Sequence, residues 1–355
     1  MSEKLNVAVV FGGKSGEHEV SLMSATNVIK AMDKDKYNIH MIGITKQGKW
    51  MAYKGETDKI IDGSWEKEAV GADRDETINL LFSGLFSGNG ESRIEVVFPV
   101  LHGPNGEDGT IQGLFEMLDV PYVGCGVMAS ALGMDKGLSK QLFCDAGLHV
   151  GGYAVVLKRD IERDIEPIIS MVEDKFTYPV FIKPVNMGSS VGITKAHNRE
   201  ELEKGLREAC KYDRKVIIEE GINCREFECS VLGNNDPVAS GIGEIIPSHE
   251  FYDYEAKYFD DGKSVLVIPA ELPGSKVEEM REAAVEAYKA LDCCGMARVD
   301  FFMDKETGDI YINEINTIPG FTKISMYPKL WDAAGLSYSK LIDRLIELAI
   351  ERHNE

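Results

Sequence analysis

Basic residues are scarce: 39 Lys and Arg stand against 59 Asp and Glu, a formal charge of −20 over 355 residues. Such a balance opposes general binding to nucleic acid or to anionic membranes, so any phosphate site has to be a local cluster of Lys, Arg and backbone N–H groups. Long apolar runs are missing too. No stretch is long enough to span a bilayer. Residues 1–6 lead into a short apolar run and then glycines, without the extended apolar region and cleavage site of a secretory signal, and a cytoplasmic location is expected. The seven cysteines, Cys125, Cys144, Cys210, Cys224, Cys229, Cys293 and Cys294, form no C-x-x-C pair and accompany no histidine pattern for zinc, so they read as reduced thiols. The seven histidines are scattered, and His18-Glu19 and His249-Glu250 both fail H-E-x-x-H, which argues against a zinc hydrolase.

What remains is the composition of a globular chain, 44% hydrophobic and 28% charged. A length of 355 residues exceeds one ordinary core and predicts two or three packed domains. Residues 5–11, a Gly12-Gly13 loop and a helical pattern through Val20, Met23, Val28 and Met32 read as the first unit of a parallel α/β sheet. Apolar runs at 39–44, 94–101 and 120–123 extend the pattern, which places a first domain at 1–126. A second, 127–217, includes a strand at 178–182 and a Gly-Ser loop after it. A third, 218–355, carries strands at 226–232 and 264–268, a helix at 277–291, a hairpin and a closing amphipathic helix. The fold class is α/β, α+β taken overall, and the chemistry is expected where the regions meet.

Segments 296–303 (MARVDFFM) and 310–316 (IYINEIN) flank the polar stretch Asp304-Lys305-Glu306-Thr307-Gly308-Asp309, which predicts an antiparallel hairpin. Centred near Thr307, it sets Asp300 opposite Glu314 and Arg298 opposite Asn316, all on one face because side chains alternate along a strand. Facing carboxylates repel unless a cation or proton lies between them, and Asn316 adds an oxygen, a donor set that suits magnesium in a phosphoryl-transfer site. A solvent-facing hairpin with hydrated acids is the alternative. The continuation Thr317-Ile318-Pro319-Gly320-Phe321-Thr322 favours the metal, because a rigid turn there can present backbone N–H groups beside it.

Lys183-Pro184 ends a strand and leads into Asn186-Met187-Gly188-Ser189-Ser190-Val191-Gly192, a loop of small donors able to fold over phosphates. Lys183, and Lys136 in Met134-Asp135-Lys136, would add point charges, although either alone reads as a solvated surface lysine. Gly12-Gly13-Lys14-Ser15 is no P-loop, since the required first glycine falls at Ala8. Gly124-Cys125-Gly126-Val127-Met128-Ala129 matches G-x-G-x-x-A with Asp145 downstream and keeps a dinucleotide-binding enzyme as an alternative. The short strand before it and the carboxylate hairpin it leaves unused weigh against that.

Together the motifs resemble the D-alanine:D-alanine ligases of the ATP-grasp superfamily over nearly the whole chain. The likeness is carried by Phe11-Gly12-Gly13 with Glu17-His18-Glu19-Val20-Ser21, by His102-Gly103-Pro104-Asn105-Gly106-Glu107-Asp108-Gly109-Thr110, and by Lys183-Pro184 with Gly188-Ser189-Ser190-Val191-Gly192. Tyr252-Asp253-Tyr254-Glu255-Ala256-Lys257-Tyr258, Arg298-Val299-Asp300 and Asn313-Glu314-Ile315-Asn316-Thr317 with Pro319-Gly320 complete it. Each motif alone is weak; their order and number are specific.

The resemblance implies a three-domain ATP-grasp architecture, an N-terminal parallel α/β domain and two lobes enclosing ATP. It implies that one D-alanine carboxylate attacks the γ-phosphate of ATP, and that the amine of a second D-alanine then displaces phosphate. Asp300, Glu314 and Asn316 would hold two magnesium ions, with manganese as a substitute, and Lys136, Lys183, Lys257 and Ser190 would face the nucleotide phosphates. Adenine would lie near Glu219 and the backbone of Ile222, with Glu226 accepting the ribose hydroxyls. Glu17 would pair with the first ammonium, helped by His102, while Ser189 and Tyr258 link to Glu17 and close the loop. Arg298 and the Gly320 N–H would stabilise the oxyanion, and Ser325 with the Met326 backbone would receive the second carboxylate. Tyr258, where relatives making the D-lactate ester carry histidine, points to D-alanine. A homodimer, activation by potassium and a place in peptidoglycan synthesis follow from the likeness alone. Another ATP-grasp ligase with a different acid, or a nucleotide-binding module without ligation, are the competing readings.

Overall fold

The computed structural model describes residues 4–69, 93–247 and 265–355. Its first sheet runs β3-β2-β1-β4, with β1 Leu5–Gly12, β2 Tyr37–Ile44, β3 Trp50–Tyr53 and β4 Val96–Val100. β1 lies parallel to β2 and β4, and β3 adds an antiparallel edge that the apolar pattern does not announce. The centre of β1 is buried without a break, as a parallel strand covered on both faces requires. The run at 120–123 contributes no strand: Tyr122 makes a single bridge to Val97, and Pro121, lacking an N–H, interrupts any ladder there.

The second sheet runs β5-β8-β6-β7, from β5 Tyr153–Leu157, β6 Val180–Pro184, β7 Thr194–Ala196 and β8 Lys215–Glu220. Helices Glu166–Lys175 and Arg199–Ala209 cover it through Ile169, Val172, Leu202 and Leu206. The third runs β11-β10-β9-β12-β13, from β9 Cys224–Gly233, β10 Val238–Ile246, β11 Val265–Val267, β12 Gly295–Asp304 and β13 Ile310–Asn316. Helix Gly274–Ala290 packs on it through Met280, Ala284 and Ala287.

The closing helix Tyr338–His353 packs back onto the first sheet. Its Leu341, Ile342, Leu345 and Ile346 share one core with Val7 and Val9 of β1, Met296 of β12 and Phe321. Burial of each such side chain is worth roughly 1.5–3 kcal/mol, so this seam fixes the first sheet against the third. The glycines of the G-x-G match lie beside the start of the hairpin and at a helix N-terminus. A Cβ on Gly295 would lie 3.2 Å from the Gly124 nitrogen, and Gly126 caps the helix Val127–Met134. All seven cysteines are free thiols, as expected.

Candidate active site

A cavity of about 910 Å³ lies between the second and third sheets and reaches the start of the first helix. Every site residue selected from sequence lines it except Lys257 and Tyr258, which lie outside the described residues.

The hairpin has the expected register: Arg298 pairs with Asn316, and Asp300 with Glu314. A bulge then shifts the pairing so that Phe301 meets Ile312, which places Asn313 and Glu314 together on the cavity side. Arg298 is a fork on Asp300, with two N···O distances of 2.7 Å, and its Nε also lies 3.0 Å from Glu228 Oε2. Asn316 Nδ2 donates to Asp300 at 3.0 Å. Glu228 sits on β9 directly across from Asp300, so three carboxylates cross neighbouring strands in one row. Among the described residues no group of three His, Cys, Asp or Glu is placed to hold a metal ion. A cation at Asp300 and Glu314 would therefore draw on Asn316 and substrate oxygens as well, which the oxygen-only donor set permits.

Glu17 starts the first helix, His18–Ala31, and is buried. Ser189 Oγ donates to its Oε1. Two glycines allow the carboxylate to sit there, for a Cβ on Gly103 would fall 2.5 Å from Glu17 Oε2 and one on Gly188 2.8 Å from it. Ser189 and Ser190 have φ of 48° and 59°, left-handed values uncommon outside glycine that cluster where a loop serves a site. His102 is buried between Ile318 and Ser24, each at 3.2 Å. A carbonyl only accepts, so Nδ1–H donates to Ile318 O and Nε2 accepts from the Ser24 hydroxyl. Burial holds this imidazole below its ordinary pKa and neutral. Glu107, from the same loop, is pushed up to about 8, chiefly by burial and next by Glu17.

Ser325 occupies the N-cap position of the helix Met326–Ala333, but its Oγ turns away from the helix, accepting from the Thr322 N–H at 2.9 Å and lying 2.8 Å from the Thr322 hydroxyl. Lys136 opens the helix Lys136–Asp145, where Asp135 accepts from the Gly137 and Leu138 N–H groups; Lys136 Nζ donates to Met187 O at 2.8 Å and lies 3.5 Å from Glu314. Lys183 Nζ stands 2.5 Å from Glu219 Oε2. Burial alone would raise the Glu219 pKa, but Lys140 and Lys183 outweigh it and bring it to about 2. Burial would lower Lys183, yet Glu219 and Glu314 hold it above its ordinary value. Sequence reasoning missed Glu107, Lys140 and Glu228; only Glu107 lay inside a quoted motif.

The arrangement suits phosphate transfer onto a small amphoteric substrate: cations and N–H donors for phosphates, a buried anion for an ammonium, and a fork able to meet developing negative charge. Models of the D-ala D-ala ligase N-terminus and C-terminus match residues 6–125 and 142–347. A D-alanine–D-alanine ligase of Thermoanaerobacter sp. (strain X514) is 60% identical over 357 residues, covering 99% of this chain and 98% of its own length. One of Acetivibrio thermocellus is 55% identical, covering 100% and 98%. The VanG D-Ala:D-Ser ligase from Enterococcus faecalis superposes with a TM-score of 0.85 at 39% identity, covering 98% of this chain and all of that one. The D-alanine–D-alanine ligase from Coxiella burnetii gives 0.84 at 36%, covering 99% and 96%. The chain belongs to the D-alanine–D-alanine ligase family.

Proposed function

We propose that the enzyme joins two D-alanine molecules through an acyl phosphate, with ATP converted to ADP, and so supplies a precursor of peptidoglycan. The observation that carries the reading is the convergence of Glu17, Arg298 and the Asp300–Glu314 pair on one cavity. Glu17, held by Ser189, pairs with the ammonium of the first D-alanine, and neutral His102 fixes the adjoining wall. A carboxylate oxygen of this first D-alanine attacks the γ-phosphorus as the bond to ADP breaks. The second amine then adds to the acyl carbon, Arg298 and the Gly320 N–H steady the oxyanion, and phosphate departs. Ser325 and the Met326 N–H take the second carboxylate at a helix start, which favours an anion.

Adenine would lie against Glu219 and the Ile222 backbone, with Glu226 at the ribose and Lys136, Lys183, Ser190 and Lys257 toward the phosphates. Asp300, Glu314 and Asn316 would hold two magnesium ions, or manganese in their place, which neutralise phosphate charge when bound. Tyr258 would help to close the site. The proposed units are 1–126, 127–217 and 218–355, in a cytoplasmic homodimer activated by potassium. Among the described residues no helix is long and apolar enough to cross a membrane.

Phosphate release with ATP and magnesium, compared for D-alanine alone, L-alanine, and D-alanine with D-serine or D-lactate, tests the assignment. Release driven by D-alanine alone, with the dipeptide identified by mass, is expected. A folded protein that binds ATP but releases no phosphate with D-alanine would refute it.

A further inference from the structure

We infer that Lys140 is a positioning residue that holds Glu219 as the acceptor for the exocyclic amine of adenine and thereby sets a preference for ATP over GTP. The inference rests on the placement of adenine proposed above.

Lys140 lies four residues after Lys136 on the same helix, so both rise from one face of it; Lys136 lines the cavity, whereas Lys140 reaches Glu219 and Asn313, which line it. Its side chain is 4% exposed. Nζ donates to Asn313 O at 2.9 Å and stands 2.9 Å from Glu219 Oε1. That second contact is ionic, for Oε1 accepts no directed hydrogen bond and is buried. Oε2 faces Lys183 at 2.5 Å. Glu219 itself is anchored in β8, between Tyr153 of β5 and Phe181 of β6.

The two lysines differ in what else they can do. Lys183 is the penultimate residue of β6, just before the loop 186–192, and phosphate competes with Glu219 for it. Lys140 is tied to the hairpin backbone and, among the described residues, pairs with no carboxylate besides Glu219. When nucleotide phosphate draws Lys183 away, Lys140 remains as the counter-ion that makes a buried carboxylate tolerable, since an unpaired buried charge is strongly unfavourable. Glu219 then presents an acceptor-only group with one oxygen vacated. Adenine offers an N–H donor at its 6-position. Guanine offers a carbonyl oxygen there, which leaves two acceptors facing each other without a proton.

The experiment measures kcat/KM for ATP and for GTP at saturating D-alanine, with melting temperature, in the full chain and in Lys140→Met, Lys140→Gln, Lys140→Arg and Glu219→Gln. Lys140→Gln keeps a donor for Asn313 O and guards against misfolding of the methionine variant. Loss of the charge is expected to lower the ATP:GTP ratio by about tenfold or more, as for a site whose buried polar group loses its orientation. The KM for D-alanine should hold, and Lys140→Arg should restore most of the ratio. A folded Lys140→Gln with an unchanged ratio, or with a lower melting temperature alone, overturns the role of Lys140. If Glu219→Gln also leaves the ratio unchanged, adenine binds elsewhere and the underlying placement fails. A shift in Glu219→Gln with none in the Lys140 variants removes Lys140 only.

Discussion

Arg298→Met separates the chemistry of the site from its assembly. The guanidinium is 15% exposed and shared by Asp300 and Glu228, which are 14% and 8% exposed. Truncating one partner of such a buried pair costs about 3–5 kcal/mol. A domain holds about 5–15 kcal/mol in total, so the variant should melt lower and still fold at assay temperature. The catalytic loss is a separate quantity. Removing one donor to a developing oxyanion lowers kcat by about 10²–10³, equivalent to roughly 3–4 kcal/mol of transition-state stabilisation. On the proposed assignment the fork meets the intermediate and not the substrate's ground-state carboxylates, so both KM values should move by less than about threefold. Arg298→Lys keeps the charge without the two-point geometry and should fall between the two. Initial rates of phosphate release over a grid of ATP and D-alanine concentrations, beside thermal melting, give all the numbers. A folded Arg298→Met with kcat within about fivefold of the parent would refute the assignment, and a rise in the D-alanine KM alone would make Arg298 a binding residue.

Ser189→Ala removes the hydroxyl that donates to Glu17 and should raise the KM for D-alanine by about ten- to a hundredfold, one hydrogen bond to a charged group, with little change for ATP. Asp300→Asn should retain the fold and lose at least about a hundredfold in kcat, with a higher magnesium requirement, read by metal titration of phosphate release. Glu107 has a folded pKa of about 8 against an ordinary 4.5, so the native state binds a proton that the unfolded chain gives up between those values. Its contribution to stability is full below pH 4.5 and is lost as pH rises through about 8. Glu107→Gln should therefore gain in melting temperature over the parent from pH 5 to pH 8, and a constant difference would show that Glu107 titrates normally.

The parts of the site that could be read from sequence are those built by local periodicity. Asp300 and Glu314 belong to one hairpin, and a two-residue period with a glycine-containing turn is enough to set them face to face. The start of the first helix was equally legible, and Glu17 stands there. Glu228 was not. It reaches the same row of carboxylates only because β9 lies on the other side of β12, a pairing across some seventy residues with no turn to announce it. Lys140 was hidden for another reason, since a lysine one helical turn after Lys136 has the spacing of any solvated face. Its meaning depends on Asn313 and Glu219, which come from two different sheets.

The same distinction between local and distant information explains the G-x-G match. Gly124 and Gly126 satisfy the spacing of a dinucleotide loop, but that loop also needs a strand before it, and residues 120–123 give only one bridge. Gly124 instead takes a left-handed φ of 101°, and the backbone at the start of the hairpin passes close to it because Gly295 has no side chain. Arg352 of the closing helix bonds the Gly124 and Tyr122 carbonyls and stacks 4.2 Å above the Tyr122 ring, tying the segment down from the chain's far end. A motif of small residues thus states only that something must come close. Whether that something is a phosphate or another strand is decided by the elements on either side, and here both neighbours are protein.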